Sequence, residues 1–373
     1  VSEHRISITP TSCRALLLAL GLLLSGPSVA SDIVNGQVKL IPREDAATIG
    51  FSNGSFVAAP IPFRNPTIGT GLALGGGYLF KDEARSATSF LGLGGFKTDN
   101  GSYGYGLAGN VVLGANRWKF SGFVGEVDLT YDLYTAFGIR EIDQTGALAQ
   151  MEIAYGVTPD LSFGVIGRYL DTTVDADGTL PADFLEDLGD ATVGTIGLVG
   201  ALDTRDDTIY PTTGSQTKLT LYGNTFDGLR TRDYQKGVFL YDIYRPLGPK
   251  AVIAAQGALC GASDETPFFD LCSLGGTDAM RGFPVTEYLD NRLASLQVEY
   301  RRVVTGRLGG VIFAGAGSVG EETSDLSIAD AHGAAGVGAR IRLSRKFPVD
   351  FSVDVSWNNQ DDRLLYIYVG QRF

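Results

Sequence analysis

Histidine is nearly absent from the 373-residue chain, with two residues, and cysteine, tryptophan and methionine are almost as scarce at three, two and two. So few imidazoles and thiols leave little from which to build a metal site, because transition metals favour His and Cys ligands. The motifs G-x-S-x-G and H-E-x-x-H and a phosphate-binding loop are all missing, so no catalytic role and no cofactor is expected. Positive charge is also short: 30 Lys and Arg against 42 Asp and Glu leave a net charge of −12. That balance gives no basic face for nucleic acid. Nor does any stretch hold the roughly 20 apolar residues that a membrane-crossing helix needs. The longest apolar run, residues 15–24, is half that length; with Arg5 and Arg14 before it and Ser28-Val29-Ala30 after it, residues 1–30 read as a cleavable export signal. Cys13 precedes that run, which leaves Cys260 and Cys272. An even number, export and close spacing favour a disulfide between them, worth about 3 kcal/mol in the chain-entropy account.

Glycine is plentiful instead, with 50 residues, about twice its usual share. From Ser55 onward the chain alternates with period two, and helical periodicity is nearly lacking. Ala149, Met151, Ile153, Tyr155 and Val157 share one face and Gln150, Glu152, Ala154 and Gly156 the other. After a turn at Thr158-Pro159-Asp160, Leu161, Phe163, Val165 and Tyr169 continue an apolar face, and Leu296, Val298 and Tyr300 oppose Gln297, Glu299 and Arg301. A soluble sandwich would turn the charged face to water outside, whereas a membrane barrel turns it to the lumen and the apolar face to lipid. Segments of about ten residues are long enough to cross the hydrocarbon core when tilted. Short connections (115–117, 158–160, 247–250, 305–306, 345–348) interleave with long ones (171–191, 261–292, 321–332), the rim asymmetry of an outer-membrane barrel. Turn parity predicts sixteen strands: 55–63, 70–80, 86–96, 101–113, 117–137, 146–157, 160–170, 192–205, 215–224, 230–246, 251–260, 294–304, 307–319, 333–344, 349–358 and 363–373. The expected fold class is all-β, a sixteen-stranded antiparallel transmembrane barrel over 55–373 behind a short periplasmic lead-in, 31–54.

Three stretches stand out. The long connection at 261–292 carries Gly275-Gly276-Thr277-Asp278-Ala279-Met280-Arg281-Gly282-Phe283, a cation beside a flexible Gly and a large ring. Asp203, Arg205, Pro211, Thr212 and Gly214 mark another connection; Pro, Thr and Gly there are explained as turn formers, the Asp203/Arg205 pair less so. The final stretch puts Leu365, Ile367, Val369 and Phe373 on one face, Tyr366, Tyr368, Gly370 and Arg372 on the other, and ends in an aromatic ring. Pro60 and Pro62, two residues apart, lack N–H groups that would point to one and the same neighbour. Proline belongs on strand edges, yet a closed barrel has none. Either the first strand has a weakly bonded seam with the last or with the second, or 55–62 is an extended lead-in outside the barrel.

A D-x-R…P-T-x-G turn, then strands, then a long loop with G-G…R-G-F, then a strand reading Leu296-Gln297-Val298-Glu299-Tyr300-Arg301, resembles the BamA/TamA superfamily of outer-membrane barrels, the bacterial surface-antigen type. The resemblance is clear from Asp203 to the end. It implies sixteen strands, a location in the outer membrane of a Gram-negative bacterium among its lipids, and help from the barrel assembly machinery during biogenesis. It implies that loop six folds into the lumen, where Arg281 meets acids of the inner wall. Glu299, Asp350 and Asp354 are the inward candidates, since Gly315 stands where many members carry an acid two residues after the Phe (here Phe313). In a wet lumen such a pair would be worth about 1 kcal/mol. A seam of Pro60 and Pro62 with Gly370 and Phe373 would correspond to the family's lateral gate. Members usually carry polypeptide-transport-associated domains, for which 31–54 is too short. The leading expectation is a barrel-only member that assists insertion or passage of protein or lipid clients; the alternatives are a solute channel with loop six as its plug, or a structural surface protein.

Overall fold

The computed structural model describes residues 54–373 other than 81, 84, 85, 88, 179, 208, 209, 277, 278 and 343–349. The export signal at 1–30 and all but the last residue of the 31–54 lead-in lie outside the described residues, as do Thr277 and Asp278 of the loop motif.

Sixteen antiparallel strands close into one barrel. In chain order they begin with β1 (Ser55–Asn65), β2 (Gly69–Phe80), β3 (Ser89–Thr98), β4 (Tyr103–Leu113), β5 (Trp118–Thr135) and β6 (Gly138–Gly156). Next come β7 (Leu161–Ala176), β8 (Gly189–Asp203), β9 (Gly214–Asp227), β10 (Arg232–Pro246) and β11 (Ala251–Ala262). The connection after β11 contains its own two-stranded sheet, β12 (Cys272–Ser273) with β13 (Leu289–Asp290). The wall resumes with β14 (Arg292–Thr305), β15 (Leu308–Gly320), β16 (His332–Arg342), β17 (Asp350–Asn358) and β18 (Arg363–Val369), and β18 returns to β1. Every neighbour in the ring except the closing pair β1 and β18 is adjacent in sequence once the β11–β14 connection is counted as one loop. Such pairing needs only hairpin links, and closure removes the edges on which an open sheet would aggregate.

The alternation works as a lipid-facing code over part of the wall. Met151, Tyr155, Phe163, Val165, Tyr169, Leu296 and Val298 point outward and are exposed, while Gln297, Glu299 and Arg301 point inward and are buried. Trp118 and Tyr155 meet edge-to-face at 5.0 Å between ring centroids, near the short-turn rim, where an interfacial aromatic girdle belongs.

Toward the long-loop rim the code inverts. The outward positions of β5 and β6 become Asp128, Thr130, Asp132, Glu141 and Asp143, and those of β7 become Asp171, Thr173 and Asp175. Cross-strand hydroxyl–carboxylate pairs decorate this band, Thr130 with Asp143 and Thr173 with Asp190, both at 2.6 Å. Inside the same band Leu129, Leu133, Ile142, Leu170, Val174, Val193 and Phe226 form a dry core with Phe268, Phe269 and Val285 of the β11–β14 connection. The strands therefore run past the membrane and continue as a water-facing sheet with an apolar interior.

That projection corrects two expected boundaries. The strand expected at 146–157 begins at Gly138, and the one expected at 160–170 reaches Ala176, so that 171–176 of the expected long connection 171–191 is strand. The extra segments carry acids on their outer face because water, not lipid, is there. At the chain end the strand expected to run to Phe373 stops at Val369. Gly370 takes φ +105°, a conformation that Gly adopts without penalty, and bends the tail inside.

The depth of the lipid band is testable by substitution. Val165→Arg should weaken folding into lipid vesicles by about 2–4 kcal/mol, the cost of Arg at the midplane of a barrel's lipid face. Asp175→Arg, on the projecting band opposite Asp143, should change it by less than about 0.5 kcal/mol. Urea titrations followed by heat-modifiable gel mobility would read both.

Candidate functional site

The β11–β14 connection is pinned to the inner wall in two places. At the first, Asp270 in the short 3-10 turn Phe268–Asp270 receives the Arg168 guanidinium at 2.9 Å, the Tyr234 hydroxyl at 2.7 Å and the Lys236 ammonium at 3.0 Å. Burial alone would push the Asp270 carboxyl up, but the two cations and the donated hydroxyl hold it far below the usual carboxylate range. Beside it Asp187 accepts the Phe268 N–H at 2.8 Å and also pairs with Arg232. The Cys260–Cys272 disulfide joins the end of β11 to β12, two residues further along the connection.

At the second, Arg281 spends its guanidinium on three partners. Nε donates to the Gln297 amide oxygen at 2.7 Å, Nη1 to Asp354 at 2.6 Å and Nη2 to Glu299. Its plane lies 3.7 Å from the Phe313 ring centroid. Glu299 also takes Arg301 at 2.6 Å, and Asp354 takes Arg340 and, at 2.7 Å, the Tyr368 hydroxyl. The side chains of Arg281, Glu299 and Asp354 have no solvent exposure at all. Both Asp354 and Glu299 meet Arg281, so the choice between them does not arise. Asp350 does not: it lies four residues along β17 toward the short-turn mouth, about 13 Å of strand, where it pairs with Arg342 and Gln371. The expectation of a screened pair in a wet lumen is also corrected, because the cluster is dry.

The rest of the motif fits around that guanidinium. Gly282 takes φ +125°, its N–H donates to the Tyr366 hydroxyl of β18 at 2.9 Å, and its carbonyl accepts from Asn358 at 3.1 Å. Phe283 is buried, edge-on to Tyr288 at 5.3 Å, and Gly275 passes tightly against the Pro284 backbone, with Gly276 beside it. Gly315 on β15 leaves space for Met280: a Cβ there would sit 2.8 Å from its sulfur. A glycine thus stands where the expected acid is missing because the motif's own Met280 fills the place.

The Asp203–Gly214 connection folds on itself. Asp203 receives the Arg205 side chain in a two-point grip at 2.9 and 2.8 Å, and Asp206 accepts the Thr212 and Thr213 N–H groups. Pro211 is buried and Gly214 takes φ +93°. This motif shapes a turn at the short-turn rim.

The seam between β1 and β18 is the other exceptional feature. Its register is a single pair, Arg64 with Ile367, whereas β17 and β18 share seven. The direction of the β1 backbone explains why. Thr70, the partner of Arg64 on β2, turns its N–H and C=O toward β3: the carbonyl accepts from the Asp99 N–H at 2.8 Å and the N–H donates to the Asp99 carboxylate at 2.9 Å. In an antiparallel ladder opposite residues bond as a pair or not at all. Arg64 and every second residue from it therefore face β18. Positions 60, 62, 64 and 66 read Pro, Pro, Arg, Pro. Arg64 alone in that row keeps a donor, and it is the one residue that pairs. Continuing the register by two residues sets Pro62 opposite Val369, just before Gly370 bends away; Phe373 then packs against Tyr244, Val252 and Ala254 inside, and its carbonyl takes Arg301.

A transmembrane barrel with an inner loop anchored by a buried arginine, and with one proline-coded seam, belongs to a recognisable class. The chain matches the Omp85 superfamily domain over residues 98–373, and it belongs to that superfamily. Its fold is similar to BamA from Haemophilus ducreyi lacking POTRA domains 1–3, with TM-score 0.59 and 13% identity over 85% of this chain and 70% of that one. CdiB from Escherichia coli gives TM-score 0.57 at 12% identity over 84% and 62%. CdiB from Acinetobacter baumannii gives 0.55 at 10% over 84% and 59%. The chain thus spans about three fifths of each CdiB. No curated protein sequence matches it.

Two outcomes follow for the anchors. Arg281→Ala leaves two buried carboxylates short of a cation and should cost about 3–5 kcal/mol in urea unfolding, as for other broken buried pairs. The folded pKa of Asp270 is depressed, so its contribution is complete above the unfolded value of about 3.9 and fades only as pH falls through the folded one. Protease resistance of 263–291 should therefore hold from neutral pH down to about 4, while Asp270→Asn should expose the segment already at neutral pH.

Proposed function

We propose that this barrel assists the insertion or passage of protein or lipid at the outer membrane by opening laterally between β1 and β18. The observation that carries the reading is the row Pro60, Pro62, Arg64, Pro66, which leaves β1 one N–H donor toward β18 over positions 60–66 and the closing seam one register pair. A backbone hydrogen bond is worth about 0.5–1.5 kcal/mol, so parting this seam sacrifices far less than parting any other pair of strands.

The two sides of the seam are unequally held. The β18 side is fastened from within, Tyr366 by the Gly282 N–H and Tyr368 by Asp354. β1 has a full ladder only with β2. An incoming strand could then add to the parted β18 edge, where Leu365, Ile367 and Val369 keep their N–H groups, the mode by which exposed strand edges recruit extended chains. Membership of the superfamily and the resemblance in fold to BamA and CdiB support an outer-membrane location and a role with client chains. The solute-channel alternative fares worse. Phe268, Phe269 and Val285 pack on the apolar inner wall and occupy part of the lumen with hydrophobic side chains.

Locking the seam tests the proposal. Arg64→Cys with Ile367→Cys, oxidised to a disulfide in barrels reconstituted in liposomes, should abolish the acceleration of folding of an unfolded barrel client, and the unoxidised double variant should retain it. Full activity in the locked form would refute lateral opening. Steady ionic current through the intact barrel in planar bilayers would favour the channel instead.

A further inference from the structure

At the short-turn mouth, on the lumen side of β14–β16, lies a cavity of about 80 Å³ that adjoins the loop anchor and shares Arg301 and Arg340 with it. Arg301, Arg307, Arg340 and Arg342 line it against one acid, Asp350; Arg302 borders it too but sits on the outward face, its Nη1 donating to the Tyr300 hydroxyl at 3.3 Å. In a chain of net charge −12 so dense a basic cluster needs an explanation. Ion pairs account for only part of it. Arg340 is engaged by Asp354 and Arg342 by Asp350, whose second oxygen also accepts from Gln371 at 2.7 Å. Arg307 is exposed and makes no ion pair to a described residue.

Arg301 is the telling member. It is 1% exposed, its Nε is committed to Glu299 and its Nη2 to the Phe373 carbonyl, yet its buried Nη1 has no hydrogen-bond partner. Leaving such a donor unmade costs free energy, and native structures seldom do so without a missing ligand or water. Tyr210, brought in by the β8–β9 turn with its ring 4.7 Å from the Arg342 guanidinium, adds a hydroxyl-bearing ring to the lining.

We propose that this cavity binds a phosphate group. Its size suits a small oxyanion and falls well below the roughly 300 Å³ at which pockets begin to take larger organic ligands. Several guanidinium forks set at different angles match the many acceptor oxygens of a phosphate, which arginine engages at two points each. The mouth opens at the short-turn rim, so either the headgroup of a phospholipid or a free phosphate can supply the group. The site is distinct from lateral opening and stands whether or not the seam parts.

Calorimetric titration of inorganic phosphate into the full-length protein in a maltoside detergent at low salt tests the site. Saturable binding is expected, weakened about tenfold by Arg307→Gln, the loss of one charge-assisted contact. Arg307 is exposed and apart from the Arg281 cluster, so this variant should keep the native heat-modifiable mobility; Arg301→Lys, which keeps the charge but loses the fork, should weaken binding as well. Repeating the titration in nanodiscs of phosphatidylglycerol and of an uncharged glycolipid separates the sources. Loss of phosphate binding in the first alone identifies the lipid headgroup as occupant, and equal binding in both identifies free phosphate. Absence of saturation, acetate binding as tightly as phosphate, or affinity unchanged in both variants would overturn the proposal.

Discussion

A guanidinium with no access to water, Arg281 between Glu299 and Asp354, is the constraint on which the rest of the molecule depends. A buried charge is tolerable only if it is paired and hydrogen-bonded on every side, and that demand fixes much of the surroundings. It requires two carboxylates on β14 and β17, further cations to balance them, an amide from Gln297 and a ring from Phe313. It requires a motif that can approach the wall closely, hence Gly282 with its positive φ and Gly315 opposite Met280. Once met, it fastens an inner loop to β14 and β17, and through Gly282 to β18. The wall is thereby fastened through charged and hydrogen-bonded side chains on the β18 side of the seam. The β1 side has its ladder with β2, one loop hydrogen bond from the Val285 N–H to Thr67 and apolar packing of Phe63 and Ile68.

Much of this could be read from the chain because period-two alternation is set by elementary strand geometry. Ala149–Val157 and Leu296–Arg301 placed their faces correctly, and turn parity counted the wall. Legibility failed where the environment changed along one strand. Residues 138–145 carry acids outward because they stand in water, and alternation cannot say which side of a strand is wet. The tail failed for a different reason: Leu365, Ile367, Val369 and Phe373 share a face only if the strand stays straight, and Gly370 ends it.

The site was legible in its anchor and not in its setting. Arg281 stood out beside Gly282 and Phe283, and Glu299 and Asp354 emerged from alternation as inward acids. That both bind at once, and that the cluster is dry, depends on packing by residues far apart in sequence. Asp270 was missed altogether, since its three partners come from β7 and β10; the only local hint was an acid directly after the aromatic pair Phe268-Phe269, two residues before a cysteine. The two prolines were noticed, but which neighbour they face depends on Thr70 turning toward Asp99, and that relation exists only in the folded sheet.

The superfamily's inner loop and the proline row act in opposite senses, one tying the barrel together and the other keeping one strip of it untied. The weakness of that strip is written in missing N–H groups, and such groups can be restored. Amide hydrogen exchange at Val369 in a Pro60→Thr/Pro62→Thr variant, compared with the native barrel in the same membrane mimic, measures the claim directly. Slowing by about tenfold or more, corresponding to a gain near 1.4 kcal/mol, together with reduced client folding, is the predicted result. Exchange at Val369 as slow in the native barrel as within β17, or unaltered by the restored donors, would contradict it.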